Sequence, residues 1–252
     1  MLTKYVAGLV FAASLASAAP ITVYFKFSGG GGAGTLDNTL VFQGYSDVGF
    51  TNAVNLTVTA KAYGTGDNTT HTNGTTLRTA ALGQWGSGLG VCDQIEQGVV
   101  SGKSATRSCS DPHHRVDNER SLNFVHLQFS SPVNENPYVW LDYVGDTDVS
   151  YWWGSNVPGT ILGTNPTTAA GRKDQYDLGE DQWRKLNDAT GSSGSLLFGA
   201  KVGSTNDKFK FEYMKVQWEE PPNDQGVPEP TTMSLMGAAL IAVGLYRRGR
   251  QA

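Results

Sequence analysis

Long apolar runs are scarce in this chain of 252 residues, and the two it has lie at its ends. Cysteine occurs only twice and histidine four times, too few for a dense disulfide framework or a histidine-rich metal cage. There is no Gly-x-Ser-x-Gly elbow, no His-Glu-x-x-His helix and no phosphate loop, so the enzyme classes that carry those motifs find no support. Basic residues are in deficit, at 19 Lys+Arg against 23 Asp+Glu. Four of them, Lys4, Arg247, Arg248 and Arg250, sit in the terminal segments. Without those four, 15 remain against the chain's 23 acidic residues, a balance of about −8 that disfavours nucleic acid and anionic lipid as partners. Helical periodicity is missing from every stretch of useful length except residues 180–187.

Glycine is plentiful, at 31 residues, and with many Thr, Ser and Asn it points to numerous turns. The residues between the two ends, 20–218, suffice for one substantial core and are read as a single extracellular domain, with 219–226 as a Pro/Asp/Asn-rich linker. In an exported chain, Cys92 and Cys109 read as one disulfide closing a loop of about 17 residues, which stabilises by roughly 3 kcal/mol in the chain-entropy account.

The N-terminal segment 1–19 has the parts of a secretion signal removed by signal peptidase. Lys4 supplies the basic start, residues 6–15 the apolar stretch, and Ala16-Ser17-Ala18-Ala19 the small-residue cleavage site. The apolar stretch falls short of the roughly 20 residues that span a bilayer. At the other end Val227-Pro228-Glu229-Pro230 is followed by a mostly apolar stretch, 231–246, and then by Arg247-Arg248-Gly249-Arg250. Two prolines around Glu229 keep that element extended and open to a processing enzyme. The apolar stretch can form a single membrane helix, and the arginines hold its end in the cytoplasm. This ordered triplet, residues 227–252, resembles the PEP-CTERM sorting signal of bacteria that make exopolysaccharide. The resemblance implies an exosortase as partner, transient anchoring in the inner membrane, and final residence at the cell surface or in the extracellular matrix.

Alternating apolar and polar residues predict half-buried strands at 21–28, 39–45, 55–63, 123–129, 138–144, 149–153, 195–202 and 208–218, with a weaker one at 77–82. In the last long strand the apolar parity switches after Tyr213, which predicts a bulge. Residues 64–76 read as a polar loop, and 157–171 as a long surface loop. About nine strands without helices imply an all-β fold, an antiparallel two-sheet β-sandwich with jelly-roll topology as the expectation.

Inside the domain, Gly88-Leu89-Gly90-Val91, His114-Arg115-Val116-Asp117-Asn118 and Asp146-Thr147-Asp148-Val149 follow one another in the order of a module that recurs in exosortase-dependent surface proteins. Here Glu119-Arg120 stands where that module has glycine. The resemblance implies a surface domain and names no activity. Asp117, Asn118 and Glu119, with Asp146 and Asp148, offer hard oxygen ligands suited to calcium, although carboxylates at turns commonly serve the backbone instead. Calcium is the one cofactor this pattern allows. His113 and His114 read as structural or solvent-facing.

The carboxylates of Glu135, Asp142, Asp146 and Asp148 could serve a glycosidase, but aspartates between strands are common without catalysis, and a non-enzymatic protein is expected. Trp140, Tyr143, Tyr151, Trp152 and Trp153 crowd one region. Adjacent Trp152 and Trp153 must point to opposite faces of a strand, so at most one is expected in the core, leaving the other to stack on sugar. Exopolysaccharide is thus the expected partner, with a structural or adhesive role and glycan binding as the alternative.

Overall fold

Side chains alternating about a pleated backbone build almost all of the fold. A computed structural model describes residues 19–30, 34–67, 72–94, 115–119, 121–143 and 145–221. Its strands are Ile21–Lys26 (β1), Thr39–Tyr45 (β2), Ala53–Asp67 (β3), Thr72–Thr79 (β4), Ala81–Trp85 (β5), Gly88–Cys92 (β6) and Val116–Asp117 (β7). They continue with Asn123–Val133 (β8), Tyr138–Tyr143 (β9), Val149–Trp153 (β10), Lys173–Gln175 (β11), Arg184–Lys185 (β12), Ser193–Ala200 (β13) and Lys208–Trp218 (β14). Among the described residues a single 3-10 turn occurs, at Gly154–Asn156. Ala19–Glu220 forms one compact unit.

The fold is all-β and antiparallel, as expected, but hydrogen bonds join the strands into one continuous sheet where two were expected. Its order is β11-β10-β13-β8-β3-β2-β1-β14-β6-β5, with β9 and β7 also on β14, β4 on β3 and β12 on β9. The sheet turns back on itself. Phe129 of β8 lies 5.9 Å from Phe25 of β1, and Phe198 of β13 lies 5.1 Å from Phe211 of β14, although neither strand pair is hydrogen-bonded. The arrangement is therefore sandwich-like, with a core shared by the two halves of one sheet. The jelly-roll expectation is corrected: β1, β2 and β3 neighbour one another as a meander, whereas a jelly roll sends successive strands to alternate sheets.

The main core takes the inward parity of each strand. Val23 and Phe25 of β1, Val58 and Ala60 of β3, Val125 and Leu127 of β8, and Phe209 and Phe211 of β14 are fully buried. Past Phe211 the pairing of β14 with β9 shifts before Tyr213, and Met214, Val216 and Trp218 bury on the other parity. This is the bulge that the parity switch predicts: one extra residue lets both halves of a long strand face the same core.

Three local expectations change. Residues 64–76 include the facing ends of β3 and β4, a hairpin in which Tyr63 pairs with Thr79 and Gly64 with Arg78; threonine's branched side chain favours the extended backbone even without apolar alternation. Residues 180–187 form turns and the short strand β12, which pairs with β9, rather than a helix. β5 and β6 make a hairpin that glycine hides from a pattern search. Gly88 there has φ of +121°, and a Cβ on it would meet the Phe211 carbonyl oxygen at 2.5 Å, so no other residue fits the approach of β6 to β14.

The segment 157–171 is more than a surface loop, because it covers the outer face of β10 and β13. Leu77 exchanges backbone hydrogen bonds with it: Leu77 N donates to Thr164 O, and Gly163 N donates to Leu77 O, both at 2.8 Å. Beneath it Leu77, Phe124, Trp152, Ile161 and Leu197 form a second apolar cluster. Among the described residues no helix is long and apolar enough to cross a membrane; the apolar stretches of both termini lie outside them.

Candidate functional site

Two of the five oxygen-donor residues picked from sequence meet at one end of β10. Carboxylate oxygens of Asp146, Asp148 and Asp177 lie within 4.8 Å of one another. Backbone pairing creates the cluster: Asp146 bridges to Asp207 just before β14, and Asp177 follows β11, which pairs with β10. Asp148 Oδ1 accepts from Asp177 N at 2.8 Å, and its Oδ2 lies 3.5 Å from Lys201 Nζ. Lys201 itself lies 4.1 Å above the Tyr176 ring. The ammonium therefore already supplies a positive charge to the cluster. Calcium takes roughly six to eight oxygens, so these three carboxylates give a partial ligand set in which Lys201 competes with a bound ion.

The other three picked residues do different jobs. Asn118 locks onto Asp207: its Nδ2 donates to Asp207 Oδ2 at 2.5 Å and to Lys201 O at 2.9 Å, while its Oδ1 accepts from Asp207 N at 2.9 Å. Asp207 is fully buried, and burial pushes its carboxyl above the usual range against the pull of hydrogen bonds from Asn118 and Ser204. Asp117, on β7, accepts from Glu119 N at 3.4 Å, and Glu119 pairs with Lys208 Nζ at 2.8 Å. These are the turn-stabilising contacts that carboxylates commonly make. Asp177, Lys201 and Asp207 escape sequence reading, because each looks like an ordinary turn residue until distant strands bring it to the cluster.

Trp152 and Trp153 do point to opposite faces, but the expectation that one stays outside is corrected. Trp153 is 3% exposed in the main core and Trp152 is fully buried in the second cluster. Their indole nitrogens donate to Gly191 O at 2.9 Å and Ala170 O at 3.1 Å. Neither ring can stack on a sugar.

A cleft of about 490 Å³ opens between β3, β8, β13 and the covering segment, and is lined by Lys61, Tyr63, His126, Ser195 and residues 157–162 among others. His126 Nε2 and Ser195 Oγ are 2.6 Å apart. Burial, reinforced by the Lys61 charge, lowers His126 to about 4, so the ring is neutral at physiological pH and joins two strands by a hydrogen bond. Glu135 lies apart from the Asp146–Asp148 pair, accepting from Gly191 N at 3.4 Å.

Cys92 is fully buried at the end of β6. Its expected disulfide partner Cys109 lies outside the described residues, as do His113, His114 and the tail residues Val227, Pro228, Glu229, Pro230, Arg247, Arg248 and Arg250. For that tail, comparison with known families is decisive. Residues 226–251 match the PEP-CTERM protein-sorting motif. The PEP-CTERM motif implies that the chain is exported, directed to an exosortase and sorted to the surface. It covers the tail alone. Comparisons with curated proteins and with solved structures find no match.

Proposed function

We propose that this is a non-catalytic surface or extracellular-matrix protein, a structural or adhesive component associated with exopolysaccharide. Secretion would begin at the segment 1–19, with signal peptidase acting on it. The apolar stretch 231–246 would then anchor the chain transiently in the inner membrane until the exosortase acts at Val227-Pro228-Glu229-Pro230. The observation that carries this reading is the PEP-CTERM motif placed directly after an all-β domain. A bridge between Cys92 and Cys109 would suit an oxidising exterior.

Replacing Glu229 by Ala, or deleting residues 247–250, should leave unprocessed protein in the inner membrane, detected by fractionation and immunoblotting. Normal processing and release of both variants would overturn the reading. A second reading, glycan binding by the domain, is favoured by half-exposed aromatic rings on the outer face of β1, β9 and β14, a different set from Trp152 and Trp153.

A further inference from the structure

Outside the core, one face carries a connected row of half-exposed rings. Phe50 stacks on Tyr213 at 5.6 Å; Tyr213 meets Trp140 at 6.0 Å; Trp140 meets Trp183 at 5.5 Å; Trp183 meets Tyr24 at 6.0 Å. The row is built, since Phe50 reaches it with a left-handed φ of 55°, a conformation that costs a bulky residue energy. The turn that holds it there is clamped by the Asp47 carboxylate, which accepts from Asn52 N at 2.7 Å and from Thr51 N at 3.2 Å.

At the Tyr24 end the row opens into a cleft of about 180 Å³ lined by Thr22, Tyr24, Asn136, Tyr138, Lys215, Val216 and Gln217. The lining has hydroxyl and amide donors and one ammonium, and it has no carboxylate. Lys215 Nζ sits 4.5 Å from the Tyr138 ring centroid and 4.8 Å from that of Trp183. Among the described residues no carboxylate pairs with it. A half-buried cation on an acidic protein, ringed by neutral donors, is complementary to an anion. Rings beside it present apolar faces to the C–H groups of a sugar.

We propose that this cleft and the adjoining aromatic row bind an acidic polysaccharide, with a uronate carboxylate against Lys215 and its sugar ring against Trp183. The assignment rests on the reading of a polysaccharide-associated surface protein and names its ligand class. Burial alone lowers Lys215 from the usual lysine range, in keeping with a cation that has no carboxylate partner among the described residues.

Affinity electrophoresis of the full-length chain tests it, in gels containing polygalacturonate or neutral dextran. Polygalacturonate should retard the protein and dextran should not, and salt should weaken the effect. Lys215→Met and Trp183→Ala should each lower the apparent affinity by about tenfold while keeping the wild-type melting curve, and Lys173→Met, on a different strand, should change nothing. Absence of retardation by polygalacturonate would overturn the proposal. Equal retardation by dextran, insensitive to Lys215→Met, would overturn the acidic specificity and leave a polysaccharide-binding protein. Loss of all binding alongside normal exosortase processing would remove the ligand and leave the sorted surface protein. A dimer that Trp183→Ala disperses, seen by sedimentation velocity, would assign the face to a second copy and likewise overturn it.

Discussion

Lys201 Nζ stands 3.5 Å from Asp148 Oδ2, both side chains largely buried at 15% and 11% exposure, and it is the counter-ion of the three-aspartate cluster. Lys201→Met should therefore destabilise the domain by about 1–3 kcal/mol at neutral pH, because the buried Asp148, beside two exposed carboxylates, loses the ammonium that faces it. Millimolar calcium should restore much of that loss while leaving the wild type almost unmoved. Thermal melts with and without chelator measure both. A wild-type shift larger than the variant's would show that Lys201 does not occupy the cation's place.

Asn118 holds the buried Asp207 from both its donor and acceptor ends. Asn118→Ala should cost about 2–4 kcal/mol in urea unfolding, the penalty for stranding a buried charge-bearing group. Asn118→Asp should cost at least as much at pH 7 and regain stability on acidification, as one carboxyl of the facing pair becomes protonated.

His126 faces Lys61 and Tyr63 of β3 and Ser195 of β13 across the large cleft. Its folded value of about 4 lies below the ordinary 6.5, so the unfolded chain binds the extra proton first as pH falls. Stability from neutral His126 is complete above pH 6.5 and declines as pH drops toward 4, by up to about 3 kcal/mol. His126→Gln should flatten that part of the pH–stability curve; an unchanged slope between those limits would refute the assignment.

Trp152 pins the covering segment through Ile161 and its bond to Ala170 O. Trp152→Ala should cost about 3–5 kcal/mol if the domain unfolds as one unit. Hydrogen exchange should also accelerate at the Leu77 and Gly163 amides, which tie the segment to β4, before it does at Val58 in the main core.

Strands with one buried and one wet face were legible, as with Val23 and Phe25 against Tyr24 and Lys26, since alternation records exactly that asymmetry only when the second face is open to water. The tail was legible because sorting reads a linear motif. Trp152 misled because its outer face is covered by residues 157–171, which no local pattern ties to β10. β5 and β6 were hidden by Gly83, Gly88 and Gly90, which carry no side-chain signal. Asp207 and Asn118 are 89 positions apart and meet only when β7 pairs with β14. Trp183 read as part of a helix, so the outer aromatic row, assembled from five separate segments, had no sequence signature.

β14 lies between β1 and β9, and its last residue, Trp218, is paired with Ile21 at the start of β1. A cell-surface attachment made through residues beyond Trp218 would pull on that strand lengthwise. Hydrogen bonds on both its flanks would then carry the load side by side, not one after another as in a peeled edge strand. The geometry suits a tether that must survive drag: the domain should yield abruptly at high force in single-molecule pulling from its C-terminus.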